Sequence, residues 1–315
     1  MKYSLSASMF ALMFAVILVA SCATKAPTPV QEQPVPAVVP TPVETPVATP
    51  VATPEPVPEP VKVAKQRTVV TKVPVLIKEA SFYSDGLADA YAVYKLDADM
   101  KNVVEKDSYD AARPEAVQRI ISDFKDGRLA AETVYEADGR VRSRRELGYD
   151  ANGRVAQERI LDGKGKLQSA SAYAYDASGR KVEWRVLDTA GAVKATSSYT
   201  YGPGGLVAVA LKDLGGKVSG TIKLMYDGDR LAKRSYFGAD GTLQKFESYT
   251  YEGPSLAAVE YHRADGSLVS KTANSYGPLG QLVKAVEYSP TGAAGNYTVY
   301  EYQVREDSEI ETYYE

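Results

Sequence analysis

Tyr173-Ala-Tyr-Asp-Ala-Ser-Gly-Arg-Lys181 is the stretch that decides the fold. Two tyrosines flank one small residue, Asp176 and Gly179 then frame a tight turn, and a basic pair leads into the next strand. An aspartate side chain caps such a turn, and glycine supplies the positive φ that closes it. The stretch therefore predicts a strand, a turn formed by Asp176 and Gly179, and a second strand.

Variants of this phrase recur along the chain in a fixed register. The second aromatic residue of each copy lies 25 or 26 residues after that of the copy before: Phe124, Tyr149, Tyr175, Tyr201, Tyr226, Tyr251, Tyr276 and Tyr302. The pair Asp150 and Gly153 occupies the turn position in its own copy, and each unit has a second turn near its middle. Short connections make neighbouring strands antiparallel. The repeat predicts an all-β, elongated antiparallel hairpin array of about 14 strands over residues 124–315.

The pattern Tyr-x-Tyr-Asp-x-x-Gly-Arg at residues 173–180 resembles the YD repeat of Rhs and related bacterial surface and toxin proteins. Tyr149-Asp-Ala-Asn-Gly-Arg-Val155 matches the second half of that repeat. The resemblance covers roughly residues 124–302 and implies a β-hairpin repeat domain. In large family members such repeats coil into a shell that encloses a toxin. Short MORN-like hairpin repeats have a similar rhythm of strands and turns.

Residues 1–21 predict a lipoprotein signal peptide. Lys2 precedes an apolar run from Met9 to Ala20, which is too short to span a membrane but suits a secretory leader. Val19-Ala-Ser-Cys22 resembles the bacterial lipobox, and Cys22 is the only cysteine. The resemblance implies cleavage before Cys22 and a lipid anchor on it; an unmodified thiol is the alternative. Ala23 favours the outer membrane over inner-membrane retention.

Residues 22–61 predict a disordered, proline-rich tether, because 12 of the 18 prolines lie between Pro27 and Pro60. Proline favours the extended polyproline II conformation. Residues 62–123 predict a basic approach followed by degenerate or capping repeats. The basic residues could touch anionic lipid, or they belong to a solvated linker. Pro74 predicts an edge strand.

Two further segments lie at the ends of the predicted array. Val117, Ile120, Ile121 and Phe124 have helical spacing, so a short capping helix competes there with another hairpin. The last segment is acidic, which we expect to discourage pairing between sheet edges. Its acidic residues are Glu306, Asp307, Glu309, Glu311 and Glu315.

The sequence offers little for catalysis. His262 is the only histidine, and no phosphate-binding glycine loop is present. The turn carboxylates, such as Asp150 and Asp176, are explained by turn capping. We therefore predict no catalytic residue, no metal site and no cofactor. The net charge of −3 gives no support for a nucleic-acid partner.

The tyrosine pairs are the candidate binding face. Such rings can stack on sugars or anchor a protein partner, or they can pack against neighbouring strands as the array's own core. The pairs are Tyr173 and Tyr175, Tyr199 and Tyr201, and Tyr249 and Tyr251. We expect a lipid-anchored, non-catalytic envelope protein that binds protein or glycan. The alternatives are a polysaccharide hydrolase with paired carboxylates and, by resemblance alone, an immunity or antitoxin role.

Overall fold

The computed structural model describes residues 64–314. These residues belong to one compact unit, Lys62–Glu315. The predicted signal peptide, Cys22 and the proline-rich tether lie outside the described residues. Within the described range, no helix is long and apolar enough to cross a bilayer.

Residues 64–314 form one sheet of 18 strands. The strands are β1 Ala64–Phe82, β2 Ala88–Leu96, β3 Val103–Asp110, β4 Gln118–Lys125, β5 Arg128–Glu136, β6 Val141–Tyr149, β7 Val155–Asp162, β8 Leu167–Tyr175, β9 Lys181–Leu187, β10 Val193–Gly202, β11 Gly205–Lys212, β12 Val218–Asp227, β13 Arg230–Gly238, β14 Leu243–Glu252, β15 Ser255–Arg263, β16 Leu268–Tyr276, β17 Leu282–Tyr288 and β18 Ala294–Tyr314.

The sheet closes on itself. Strands β2 to β18 pair antiparallel in chain order, and β1 pairs with both β18 and β2. The prediction of an all-β, antiparallel fold is therefore confirmed, but the open array of about 14 strands is wrong. The fold is a closed barrel, in which the first and last strands satisfy each other's free edge.

The described residues before 124 form β1 to β3 and most of β4, joined by turns. Of the two alternatives at Val117 and Ile120, the short helix is wrong and the hairpin is formed, because Ile120 lies in β4, which pairs with β3 and β5. A helix here would have left both neighbouring strands with an unpaired edge, and their backbone groups need partners.

A register shift beside a turn recurs around the barrel. Between β8 and β9, Ala174 pairs with Glu183 while Tyr175 pairs with Lys181, so Val182 is an extra residue. Such bulges bend the strand and increase its twist. They help the sheet to curl, and this one brings Lys181 beside Tyr175.

Beyond the barrel, β1 and β18 continue as a ribbon of two strands. Ala64–Leu76 pairs with Tyr302–Tyr314, whereas β2 pairs with β1 only from Lys78 onward. Pro74 therefore lies where β1 has a single neighbour, as predicted. The expectation that the acidic end discourages pairing is wrong: the Arg67 guanidinium is 2.6 Å from the Glu311 carboxylate across the ribbon.

The barrel wall is a single layer. Each strand contacts only its neighbours in the sheet, and no large side chain in the described range is fully buried. The wall is therefore held by ladder hydrogen bonds and by pairs of side chains on the same face. We call the face that carries Tyr173, Tyr199 and Tyr249 the tyrosine face; the strand register places all three on one side.

Candidate functional site

The repeated turns are closed by their aspartate and glycine. Asp150 Oδ1 accepts hydrogen bonds from the amides of Asn152 and Arg154, both at 2.9 Å. Gly153 has a φ of +77° and Gly179 a φ of +80°. These amide donors lower the pKa of the Asp150 carboxyl, and the equivalent donors lower the pKa of Asp176. Both carboxylates are thus committed to their own turns.

At some turns, the arginine that follows the glycine links one unit to the next. Arg154 donates from Nε to Asp150 at 2.8 Å and lies over the Tyr175 ring, 4.6 Å from its centroid. The Tyr175 hydroxyl in turn donates to the Val155 carbonyl at 2.7 Å. We call this set of contacts, a turn arginine over the second tyrosine of the next unit, an arginine brace.

Braces occur at only some positions. They join Arg128 to Tyr149 at 5.7 Å, Arg154 to Tyr175 at 4.6 Å, Arg180 to Tyr201 at 4.9 Å, and Arg230 to Tyr251 at 5.4 Å. Gly205, Ser255 and Gln281 replace the arginine before Tyr226, Tyr276 and Tyr302. Among the described residues, no cation lies over those three rings.

The six candidate tyrosines therefore separate into two groups. Tyr175, Tyr201 and Tyr251 are brace rings, and their hydroxyls donate to carbonyl oxygens of the preceding strand. Tyr173, Tyr199 and Tyr249 lie further from the turns on the same face. All six side chains are half-buried.

Two carboxylates on the tyrosine face sit in hydrogen-bonded clusters. Glu158, which is 7% exposed, accepts from Arg145 at 2.9 Å and from the Tyr173 hydroxyl at 2.9 Å. Glu247 likewise contacts Arg234 and the Tyr249 hydroxyl. Burial and the adjacent carboxylate raise the pKa of both tyrosines. These contacts tie neighbouring strands together.

Lys181 lies between two candidate rings. Its Nζ atom is 5.4 Å from the centroid of Tyr173 and 4.8 Å from that of Tyr199. No carboxylate in residues 64–314 forms an ion pair with it, and burial lowers the pKa of its ammonium group. The Tyr199 hydroxyl has no hydrogen-bond partner in the same range.

Trp184 lies on the same face, next to Tyr173. It pairs with Tyr173 on β8 and with Ser197 on β10. Its indole Nε1 is a buried donor with no acceptor in the described part of the protein. A buried N–H group without a partner is uncommon in folded proteins and calls for an explanation.

His262 does not complete a catalytic triad. Its Nε2 is 3.3 Å from the Ser248 hydroxyl and 3.5 Å from Glu260, while Nδ1 is 3.2 Å from the Gly266 carbonyl. The acid therefore lies at the same ring nitrogen as the serine instead of at the other one. Strands β14 and β15 also pair with each other at this point, so their amides are not collected into an oxyanion hole.

Other features give no catalytic arrangement. A shallow hollow of about 430 Å³ is lined by Glu115, Arg119, Tyr135 and Glu136. Within residues 64–314, no cluster of histidine and acidic side chains could hold a metal ion.

The sequence and the fold were compared with those of known proteins. No protein-family model matches the sequence, and no curated protein matches it. A Photorhabdus luminescens Tc holotoxin pore structure is 16% identical with a TM-score of 0.32; the match covers 68% of this chain and 12% of the toxin chain. The chain thus spans a small part of that toxin.

A porin-like protein from Bacteroides uniformis is 14% identical with a TM-score of 0.42, and the match covers 72% of this chain and 96% of that one. A second porin-like protein, from Bacteroides vulgatus, is 12% identical with a TM-score of 0.28; the match covers 58% of this chain and 97% of that one. These three neighbours are thus a toxin structure and two porin-like proteins.

Sequence reasoning missed the cations and the tryptophan that lie beside the candidate tyrosines. The arginines of the braces could have been found, since Arg154 and Arg180 recur in the same register as the tyrosines. Lys181 and Trp184 could not, because the bulge at Val182 decides which side chains share the face.

Proposed function

We propose that this chain is a lipid-anchored, non-catalytic protein of the cell envelope whose tyrosine face binds a glycan or a protein. The observation that carries the proposal is the position of Tyr173 and Tyr199. Both rings are half-exposed, both flank Lys181, and neither lies under a turn arginine. Aromatic rings beside a polar group are a common way to hold a sugar or a protein side chain.

The brace tyrosines are poorer candidates for binding. One face of each of the rings Tyr175, Tyr201 and Tyr251 already lies against an arginine. Their hydroxyls all donate to carbonyl oxygens. Tyr173 and Tyr199 instead share one cation, Lys181, and the Tyr199 hydroxyl has no partner in residues 64–314. We therefore assign binding to the rings away from the turns.

A binding role fits the chemistry better than hydrolysis does. A glycosidase needs two carboxyl groups facing each other across a cleft. Asp150 and Asp176 instead bond to their own turns, and Glu158 is held by Arg145. These carboxylates are engaged in structure.

Attachment to the membrane is assigned to the lipid on Cys22. The wall carries charged residues in mid-strand on both faces: Arg145 and Glu158 lie on the tyrosine face, and Arg144 and Arg159 on the other. Such faces suit water and polar ligands. Cys22→Ala should abolish lipid labelling and move the protein into the soluble fraction; unchanged partition into membranes would refute the anchor.

The binding proposal is tested with polysaccharide and protein fractions extracted from the envelope. The full chain in detergent should sediment with one of these fractions, and the double variant Tyr173→Ala/Tyr199→Ala should lose that binding. The matched control is Tyr175→Ala, which removes a brace ring and should retain binding. Equal binding by the double variant and the unaltered protein would overturn the proposal.

A further inference from the structure

On the tyrosine face, Lys181 lies between two tyrosine rings and lacks the carboxylate partner that Lys106 has. On β3, Lys106 lies over the Tyr94 ring at 4.9 Å and is neutralised by Glu79 at 3.0 Å. The register places these three residues on the tyrosine face as well. Lys181 has two such rings and no carboxylate in the described residues.

The comparison with Lys106 identifies what would complete the Lys181 cluster, which we define as Lys181, Tyr173, Tyr199 and Trp184. A half-buried ammonium group gains from an opposite charge, because solvent compensates it only in part. A carboxylate is the group that meets this need elsewhere on the same face.

Two hydrogen-bond donors of the Lys181 cluster are unused. The Tyr199 hydroxyl and the Trp184 indole N–H have no acceptor within residues 64–314. Because Trp184 Nε1 is buried, an acceptor would reach it only after a local rearrangement of the side chains. Three groups that can donate a hydrogen bond and have no acceptor in this range indicate a ligand that supplies acceptors and negative charge.

We propose that the Lys181 cluster is a binding subsite for the carboxylate of an acidic sugar, such as a uronic acid. The Lys181 ammonium group pairs with the carboxylate, and the Tyr173 and Tyr199 rings pack against the C–H face of the sugar. This subsite rests on the proposed glycan-binding function and narrows it to acidic glycans.

The experiment compares two probes that differ at one group, methyl β-glucuronide and methyl β-glucoside. Trp184 is the only tryptophan, so intrinsic fluorescence of the full chain in detergent reports directly on the cluster. The glucuronide should bind about tenfold more tightly, which corresponds to about 1.4 kcal/mol. Equal affinity for the two probes would overturn the subsite.

Variants test the role of the ammonium group. Lys181→Gln should reduce binding of the glucuronide to the level of the glucoside, and Lys181→Arg should keep most of the difference. Lys245→Gln is the matched control, because Lys245 lies over the Tyr236 ring at 4.8 Å on the same face. It removes the same charge and should leave the preference unchanged.

The outcomes separate this subsite from the function on which it rests. If the full chain binds envelope polysaccharide but shows no preference for the glucuronide, the subsite is wrong and the proposed function stands. If the chain binds no envelope glycan and neither probe, glycan binding and the subsite both fall. Should Lys181→Gln unfold, as judged by circular dichroism, the comparison of the two probes on the unaltered protein still decides.

Discussion

The turns at residues 176–180 and 277–281 share one backbone frame. In each, the amide of the first residue donates to the carbonyl of the fifth, at 2.9 Å in the first turn and 2.8 Å in the second. The fourth residue is a glycine with positive φ in both, +80° at Gly179 and +76° at Gly280. The backbone of the turn is therefore the same whether or not the full repeat motif is present.

The side chains of the two turns differ. In the first, Arg180 bonds to Asp176 at 2.8 Å and braces Tyr201. In the second, Gln281 accepts from the amide of Leu279 at 3.0 Å and braces nothing. The difference separates two roles within the motif. The glycine and a side-chain acceptor form the turn, and the arginine connects the turn to the next unit.

The largest loss of folding stability is expected at alkaline pH, where braced and unbraced units are destabilised together. Burial raises the pKa of Tyr175 and Tyr201 at braced positions and of Tyr226 and Tyr302 at unbraced ones. An unfolded tyrosine ionises near pH 10, so above that pH the unfolded state binds fewer protons than the folded state. The contribution of these tyrosines to the free energy of unfolding has its full value below about pH 10. It decreases as the pH rises above that value.

Urea unfolding at about pH 9 and about pH 11, with tyrosinate absorbance as a parallel signal, checks this expectation. The absorbance should rise later in the folded protein than in urea. Stability that stays constant across this range would show that the rings are not protected by the fold.

The next largest loss of stability is expected when a β-branched residue replaces the positive-φ glycine of either turn. Gly179→Val and Gly280→Val should each lower the free energy of unfolding by about 2 kcal/mol, because valine is strained at positive φ. Ser178→Val, in the first turn but at ordinary φ, is the control and should cost much less. A tolerated Gly280→Val would mean that the two turns do not depend on the same frame. Thermal melts measure all three.

Much of the fold could be predicted because its signals are local. The phrase from Tyr173 to Lys181 contains both the strand alternation and the turn residues, so the antiparallel all-β character follows from short-range chemistry. Residues 64–123 lack the aromatic register, so the pattern there predicts only degenerate or capping repeats, an edge strand at Pro74 and either a short helix or a hairpin near Val117. The strand number was therefore too low.

Closure of the barrel could not be predicted from local pattern. It depends on pairing β1 with β18, at opposite ends of the described chain. The relevant signal was present, since Arg67 is basic and Glu311 is acidic. Each charge was interpreted alone, as a lipid contact and as a deterrent to pairing, whereas together they form an ion pair.

The candidate site could be predicted only in part. The sequence indicates that Tyr173 and Tyr199 occupy equivalent positions. It does not show that a bulge brings Lys181 between them, or that arginines cover the rings nearest the turns. Those facts depend on register across three strands, which no short window of sequence contains.

A smaller difference in stability is expected between alanine at a glycine that touches a brace arginine and alanine at a glycine that does not. A Cβ added to Gly153 would lie 2.5 Å from a terminal nitrogen of Arg128, whereas one added to Gly280 has no heavy atom within 4 Å. Both residues have positive φ, so alanine should cost about 1 kcal/mol at either. Gly153→Ala should cost about 0.5–1 kcal/mol more, because it also displaces Arg128 from the Tyr149 ring. Equal losses in urea unfolding would show that this brace adds no stability.

The smallest effect should come from building a brace where none exists. The double variant Gly277→Asp/Gln281→Arg restores the Asp-x-x-Gly-Arg pattern before Tyr302. The three atoms nearest to a Cβ at Gly277 all belong to the side chain of Gln281, which the second change removes. If an arginine over a tyrosine ring is what joins successive units, stability should rise by about 0.5–1 kcal/mol. Adding Tyr302→Leu to the double variant should cancel the gain in a double-mutant cycle measured by urea unfolding. A gain that persists without the ring would assign the benefit to the turn itself, and the distinction between frame and brace would then fail.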